Sequence, residues 1–399
     1  MAFKKYSIGI LVVVAAGISY YAHTNKTAQP TTETKVNVTA TSTAAATATS
    51  TAPMQKETVN IGVIVPLTGA QAAYGQGIKE GLDLSADGIN NTARFGIRIN
   101  LIYEDTQSDV KNAASAARKL TGTGNVVALI TALSSNSLSV APIAEETKTV
   151  LLTIASLSTK LNTAGPYVFK NDDIGAPIGT VLADEAIKRG FTKIATIFSQ
   201  YNDGVVEYHD SFLAEFKAKG GTITGTEAFN ADTTDFRTAL QKLMTAKPAA
   251  LTVMGLQRDC ATITKQAREL GYKGQLFGSL CFDDPTVLAA SGAAMEGAIM
   301  TSTNGEPSAK FTELTQNKYG HAPLRWSAEA FDSLRLIALG LARAYDGKTP
   351  VTGFRLQDAL ARITHFSGEA GAAEFDKDGN AHRALHIKTV KNGAIVEIQ

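Results

Sequence analysis

The sequence predicts an α/β protein made of two doubly wound parallel-sheet lobes. Three observations carry that prediction. Short runs rich in Val and Ile alternate with helical patterns along most of the chain. Those runs are largely apolar, as in strands buried on both faces. The alternation also occurs as two series of similar size, separated near residues 167–173. A cleft between two such lobes is a standard place for a small-molecule site.

The first series opens with a strand over Val59–Val65, bounded by Pro66. A small-residue loop, Leu67–Tyr74, leads to a helical pattern beginning at Gly75, with Ile78, Leu82, Ala86 and Ile89 on one face. A strand over Ile97–Tyr103 follows, ending in Glu104 and Asp105, then a helix over Val110–Leu120. Next come a strand over Val126–Thr131, a helix over Ser137–Thr147 capped by the preceding Ser/Asn cluster, and a strand over Thr149–Ile154. A short extended run, Tyr167–Lys170, ends the series.

The second series has helices over Ala176–Lys188, Val205–Lys217, Phe236–Thr245 and Thr262–Leu270. Its strands are Lys193–Ser199, Thr222–Ala228, Ala250–Gly255, Gln275–Ser279 and Gly297–Ser302. Gly220, Gly221 and Gly271 stop helices. Helices return at Ser327–Tyr345 and Gln357–Ile363. The chain closes with Ala373–Phe375, a turn over Lys377–Asn380, and strands Leu385–Val390 and Ala394–Ile398 about the hairpin signal Asn392-Gly393.

Before this body, Lys4 and Lys5 precede an apolar segment, Ile8–Ala22. That order marks a secretory signal or a membrane anchor over residues 1–23. A small-x-small cleavage site is poor at its end, and Tyr20-Tyr21 resembles an interfacial belt, which favours an uncleaved anchor. Residues 24–57 are rich in Thr and Ala and cannot bury a core. They read as a disordered linker spanning roughly 30–35 Å. The body is then exported, periplasmic or cell-surface, and is tethered to the membrane where the anchor stays uncleaved.

The bulk numbers exclude several functions. The chain has 399 residues and a net charge of +1, which offers no electrostatic footprint for nucleic acid. Its two cysteines, Cys260 and Cys281, make neither a disulfide scaffold nor a zinc site. Each follows a predicted strand, and the two strands are consecutive. The pair is a disulfide or two buried thiols. The six histidines are scattered, and neither H-E-x-x-H nor G-x-S-x-G occurs. No metal, cofactor or catalytic group is expected. The pairs Asp172-Asp173 and Asp283-Asp284 read as turn residues.

Two motifs could contact a ligand. Gly75, Gly77 and Gly81 imitate a dinucleotide fingerprint, but the third glycine is one place late and Gly75 lies ten residues beyond Val65. No tight turn cradles a pyrophosphate there, so these glycines are expected to allow close helix packing. The cluster Leu133-Ser134-Ser135-Asn136-Ser137 lies between a strand end and a helix start, where hydroxyls and free N–H groups suit a carboxylate.

At four places the body, from about Thr58 to Gln399, resembles the type I periplasmic solute-binding proteins of the leucine/isoleucine/valine-binding kind, which serve ABC importers. The opening strand with Pro66-Leu67-Thr68-Gly69 is similar to the family's first loop and helix. Ala132-Leu133-Ser134-Ser135, with Ala141-Pro142-Ile143-Ala144-Glu145-Glu146, resembles its serine loop and following helix. Phe169-Lys170 looks like a hinge strand, and Ala373–Asn380 like a late turn.

The resemblance implies two lobes joined by a three-segment hinge and closing on ligand. Residues 58–171 and 301–368 form the first lobe, and 172–300 and 369–399 the second. The crossovers are expected near 170–173, 298–301 and 367–373. By the same resemblance, Tyr74 matches an aromatic wall, and Ser134 and Ser135 match the holders of an amino acid's carboxylate. Ser156 and Leu157 fall where the family usually has Ala-Thr, and Leu157 lacks that hydroxyl. Asp203 falls at a common aromatic position, with Tyr201 nearby. Gln257 and Arg258 occupy a strand end in the second lobe. Leu280 or Cys281 stands where amino-acid binders place an ammonium-binding Glu.

A buried ammonium needs a paired acid. Asp203 and Asp283 are the substitutes, while Arg258 is a candidate partner for an anion. The expected ligand is an amino acid, or another small carboxylate or amide. The implied partners are a permease and its ATPase, and the protein is expected to be a monomer without a cofactor. The alternative function is a ligand sensor signalling through a separate membrane partner.

Overall fold

A computed structural model describes residues 57–92, 96–172, 175–303 and 307–398. The anchor expectation, residues 24–56 of the linker expectation, and Asp173 at the end of the first crossover lie outside these residues, while Glu57 already opens β1. Among the described residues no helix is long and apolar enough to cross a membrane.

The first series runs β1 Glu57–Val65, α1 Ala72–Asn90, β2 Ile97–Asp105, α2 Val110–Thr123, β3 Val126–Ala132, α3 Ser134–Thr147, β4 Val150–Ile154 and β5 Val168–Lys170. Its strands form a parallel sheet in the order β2-β1-β3-β4-β5. The second series runs α4 Gly175–Lys188, β6 Lys193–Ser199, α5 Asp203–Ala218, β7 Thr222–Phe229, α6 Arg237–Thr245, β8 Ala250–Met254, α7 Gln257–Glu269, β9 Gln275–Gly278, α8 Pro285–Ser291 and β10 Ile299–Ser302.

Helices α9 Ala309–Tyr319, α10 Ser327–Ala344 and α11 Gly353–Leu360 follow. Of these, α10 packs on α1 and β4 and so belongs with the first sheet. Strands β11 His365–Gly368, β12 Gly371–Phe375 and β13 Ala381–His382 form a small antiparallel sheet. The last two, β14 His386–Lys391 and β15 Ala394–Glu397, complete a second large sheet ordered β15-β14-β10-β9-β8-β6-β7. Asn392 and Gly393 make the hairpin turn, both at positive φ, as a two-residue primed turn requires.

The largely apolar strands are explained by burial on both faces. Along β1, Ile61, Val63 and Val65 join the core beneath α1 and α10, while Ile64 joins the opposite cluster with Leu120, Val140 and Leu151. In the other sheet Ala195, Ile197, Leu251 and Val253 face one cluster, and Ile194 and Met254 the other. Successive side chains on a strand point to opposite faces, so apolar residues occupy both sets of alternate positions.

Several boundaries differ from the sequence reading. Helix α1 begins three residues before Gly75, because Asp105 Oδ1 accepts from Leu67 N (2.8 Å) and Thr68 N (3.1 Å) and so shortens the loop. Tyr74 is therefore in the first helical turn. The glycines do permit close packing. A Cβ on Gly75 would lie 1.9 Å from Pro66 O, and one on Gly81 would lie 2.0 Å from Ser327 O. The serine cluster does not precede α3 but forms its first turn, with Leu133 ahead of it at φ 71°. Gln257 and Arg258 likewise open α7. Helices α8 and α9, and strands β11 and β13, are not among the elements expected from the sequence, although Asp284-Pro285 and Ser308 are helix-start signals.

The third passage between sheets comes later than residues 367–373. Those residues are the β11–β12 hairpin, anchored by Asp332, which accepts from Glu369 N and Ala370 N. The chain joins the second sheet only at β14. One residue gathers the crossing segments. Asn171, just after β5, donates to Glu329 O (3.2 Å) and Ser333 Oγ (2.9 Å) on α10. It also accepts from Arg383 at its backbone O (2.8 Å) and its Oδ1 (2.7 Å). Its neighbour Asp172 is not an exposed turn residue but a buried acceptor for Ser156 N (3.1 Å). Cys260 and Cys281 are joined by a disulfide that ties the first turn of α7 to the turn after β9.

Two outcomes follow from these contacts. The disulfide closes a loop of 21 residues, so replacing both cysteines by Ala should cost about 3 kcal/mol in urea unfolding of the second sheet's core. Burial, above all, raises the Asp172 carboxyl to about 7, against the opposing pull of Ser156 N–H, Arg383 and Lys170. Between its ordinary value of 3.8 and about 7, the folded state keeps a proton that the unfolded state has lost, so stability falls as pH rises through that window. Asp172→Asn should lack this loss and gain on the wild type over that window in pH-dependent denaturation; a constant difference would contradict the assignment.

Candidate functional site

The carboxyl ends of both sheets face one another, and a small cavity of about 30 Å³ lies between them. Tyr74, Leu133, Ser134, Ala155 and Leu157 line it from the first sheet's side. Asn202, Tyr208, Leu256, Ser279 and Cys281 are among those lining it from the second. Trp326, from the segment entering α10, completes the wall. A second cavity, of about 380 Å³, shares Trp326 and is bordered by Arg325, Glu329, Asp283 and Lys388. Ligands of open α/β sheets sit outside the carboxyl ends of the strands, which is where the smaller cavity lies.

The backbone around the smaller cavity is unusual. Leu133 (φ 71°), Ala155 (φ 55°) and Trp326 (φ 70°) all adopt the left-handed region without being glycine. Each costs of order 1 kcal/mol, and such residues cluster at ligand sites. Leu133 and Ala155 each follow a strand of the first sheet, where the chain must turn sharply out of the layer.

A polar latch joins the two sides. Ser135 Oγ donates to Asp203 Oδ2 (3.0 Å), and Lys160 Nζ pairs with Asp203 Oδ1 (2.6 Å). Ser158 Oγ (2.5 Å) and Thr159 N (2.6 Å) donate to the Glu207 carboxylate on α5. A Cβ on Gly204 would meet Ser134 Oγ at 2.4 Å, so the sides could not approach this closely with a larger residue. The structure is closed, and a cavity of about 30 Å³ has room for little more than water.

The candidate residues therefore divide. Tyr74, Ser134, Leu157 and Cys281 line the smaller cavity, and Asp283 borders the larger. Ser135 and Asp203 form the latch. Ser156 turns into the first sheet's interior, its Oγ 2.8 Å from Ser137 Oγ. Tyr201 donates to Asp259 Oδ2 (2.6 Å), and Arg258 donates to Ala231 O (2.6 Å) and Asp259 Oδ1 (3.3 Å). Gln257 donates to Asp284, which also caps α8 through Thr286 N.

Neither acid proposed for an ammonium stands unengaged. Asp203 serves the latch, and Asp283 accepts from Ser302 Oγ (2.5 Å) and Lys388 Nζ (3.1 Å). Burial raises the carboxyl of Asp259 and the phenol of Tyr74. Sequence reasoning missed Arg325, Trp326, Glu207 and Asp259. One signal was available, since Trp326 is the sole tryptophan and directly precedes the clearest helix.

A family profile described as periplasmic binding protein matches residues 58–394. The chain is 24% identical to a Leu/Ile/Val-binding protein homolog of Brucella melitensis, over 80% of this chain and 90% of that protein. Among solved structures, a leucine-binding protein of Thermotoga maritima is 26% identical, with a TM-score of 0.78 over 86% of this chain and 98% of its own. A solute-binding protein of Rhodopseudomonas palustris, solved with 3,4-dihydroxybenzoic acid, is 24% identical, with a TM-score of 0.78 over 86% and 96%. The chain belongs to the periplasmic binding proteins, in their type I, Leu/Ile/Val-binding branch. Its relatives are exported solute-binding proteins of transporters, not enzymes.

The latch should govern closure. Lys160 and Ser135 hold the Asp203 carboxyl below its ordinary 3.8 despite the opposing effect of burial. Its contribution is therefore complete above that value and is lost as pH falls below it. The pair Asp203→Asn and Glu207→Gln should open the protein at neutral pH, read as a larger radius of gyration in small-angle scattering.

Proposed function

We propose that the chain is the solute-capturing component of an ABC importer. It takes up a small polar metabolite between its two sheets, closes over it, and presents the closed form to a membrane permease driven by an ATPase. The ligand class is an amino acid or a related carboxylate or amide. No bond is made or broken in this role. The observation that carries the reading is the cavity itself. It lies at the carboxyl ends of strands from both sheets, is walled by Tyr74 and Trp326, and is shut by side chains that bridge the two sides. Its lining is largely apolar with a few convergent polar groups, as ligand pockets usually are.

The residues resembling the family's ligand holders keep part of that role here. Tyr74 supplies an aromatic face, packed edge-on against Trp326 with ring centroids 6.2 Å apart. Ser134 lines the cavity, while Ser135 serves closure. An uncleaved N-terminal anchor, joined to the body through residues 24–57, would hold the body near its permease.

A thermal-shift screen of the full chain against amino acids, small carboxylates and their amides should single out one class. A ligand at 100 times its Kd stabilises by about 2.7 kcal/mol, enough for a clear rise in melting temperature. Tyr74→Ala should weaken that ligand at least about tenfold by calorimetry, the loss of an aromatic wall. No shift with any compound, or unchanged affinity in the variant, would refute the assignment.

A further inference from the structure

The charged groups of the cleft are unevenly committed. Every carboxylate described above is held: Asp203 by Lys160 and Ser135, Glu207 by Ser158 and Thr159, Asp259 by Tyr201 and Arg258. Asp283 is held by Lys388 and Ser302, and Asp284 by Gln257 and Thr286. The hydroxyls of the serine cluster are also engaged, since Ser134 Oγ accepts from Ser158 N (3.2 Å).

The donors beside Trp326 are different. Arg325 is 7% exposed and Trp326 5%. The guanidinium stacks on the indole, 3.7 Å from the ring centroid. The Glu329 carboxylate accepts from Arg325 Nη1 at 2.5 Å. Among the described residues, Arg325 Nε, Arg325 Nη2 and Trp326 Nε1 have no hydrogen-bond acceptor.

The uncommitted atoms have a definite geometry. Nε and Nη2 form the edge of a guanidinium whose N–H bonds run side by side, the edge that grips a carboxylate with two parallel bonds. A third donor, the indole N–H, belongs to the ring stacked beneath it. Three unpaired buried donors on two stacked side chains are costly unless an acceptor arrives. Arg325 borders the larger cavity, and Trp326 borders both.

We propose that Arg325, braced by Glu329 and Trp326, is the ligand-recognition cation of the cleft. It binds the carboxylate of a small monoanion whose apolar body lies along Trp326 and toward Tyr74. This deepens the solute-binding reading and rests on it. In the closed structure the donor edge is sealed, so the anion reaches it while the sides are parted. With no uncommitted acid nearby to pair an ammonium, the preferred ligand is a carboxylate without one. Specificity then differs from that of an amino-acid binder, in which a carboxylate and an ammonium are both matched.

Matched probes test this on the full chain by calorimetry and thermal shift: leucine against 4-methylpentanoate, which lacks the ammonium, and benzoate against benzamide, which lacks the charge. A monocarboxylate from this set should bind, with its amide or amino-acid counterpart at least about tenfold weaker. Arg325→Gln should abolish carboxylate binding. Arg325→Lys, which keeps the charge but not the parallel fork, should weaken it about tenfold or more. If Arg325→Gln misfolds by circular dichroism, the wild type's preference for benzoate over benzamide still decides. Carboxylate binding unchanged in Arg325→Gln, with Tyr74→Ala still weakening it, would overturn the role of Arg325 and leave the cleft intact. Binding of leucine or benzamide in preference to the acids would do the same. Binding of no probe and of no compound in the wider screen would overturn both.

Discussion

Asn171 is the point on which the architecture turns. A chain that supplies strands to one sheet, then to another, then returns and crosses again must bring distant segments together. Asn171 meets that constraint with a single amide. Its N–H₂ reaches a backbone carbonyl and a serine on α10, and its carbonyl side receives Arg383 from the last crossing. Its own backbone N–H continues the first sheet through Thr153 O (3.2 Å). Buried and fully engaged, such a group fixes geometry more than it adds stability. The adjoining Asp172 extends the arrangement to Ser156, so the turn leaving β4 is positioned by the same crossing.

From that anchorage the cleft inherits its shape. The turn after β4 carries Ala155 in a strained conformation into the cavity wall, and a few residues on it carries Ser158, Thr159 and Lys160 into the latch. Crossing and closure are thus built from one continuous segment. The segment entering α10 behaves in a similar way. Its backbone packs against Gly77 and Gly81 of α1, while Trp326 borders both cavities and Arg325 the larger.

The layers were legible from the sequence because parallel strands buried on both faces leave an unmistakable apolar run. The hairpin at Asn392-Gly393 was legible because few dipeptides accept that turn. Helix starts were less so. Leu133 begins α3 from a left-handed conformation, and leucine gives no hint of it. The disulfide remained one of two readings, since strand adjacency permits a bridge without requiring it. The latch was hidden for a different reason: Ser135 and Asp203 look like ligand contacts in sequence, and only their apposition across the cleft shows them bonding to each other. Arg325 was invisible because nothing local distinguishes a buried arginine with an open edge from one on the surface.

The disulfide has a consequence for entropy. Cys281 is in the cavity wall, and its bridge runs to the helix that carries Gln257 and Asp259. The start of α7 and the turn after β9 are thereby tied covalently before any ligand arrives. The conformational freedom of those groups is surrendered once, when the chain folds and oxidises, and not again at each encounter. In the proposed solute-binding role, a wall ordered in advance lowers the entropy lost at each binding event and so favours affinity.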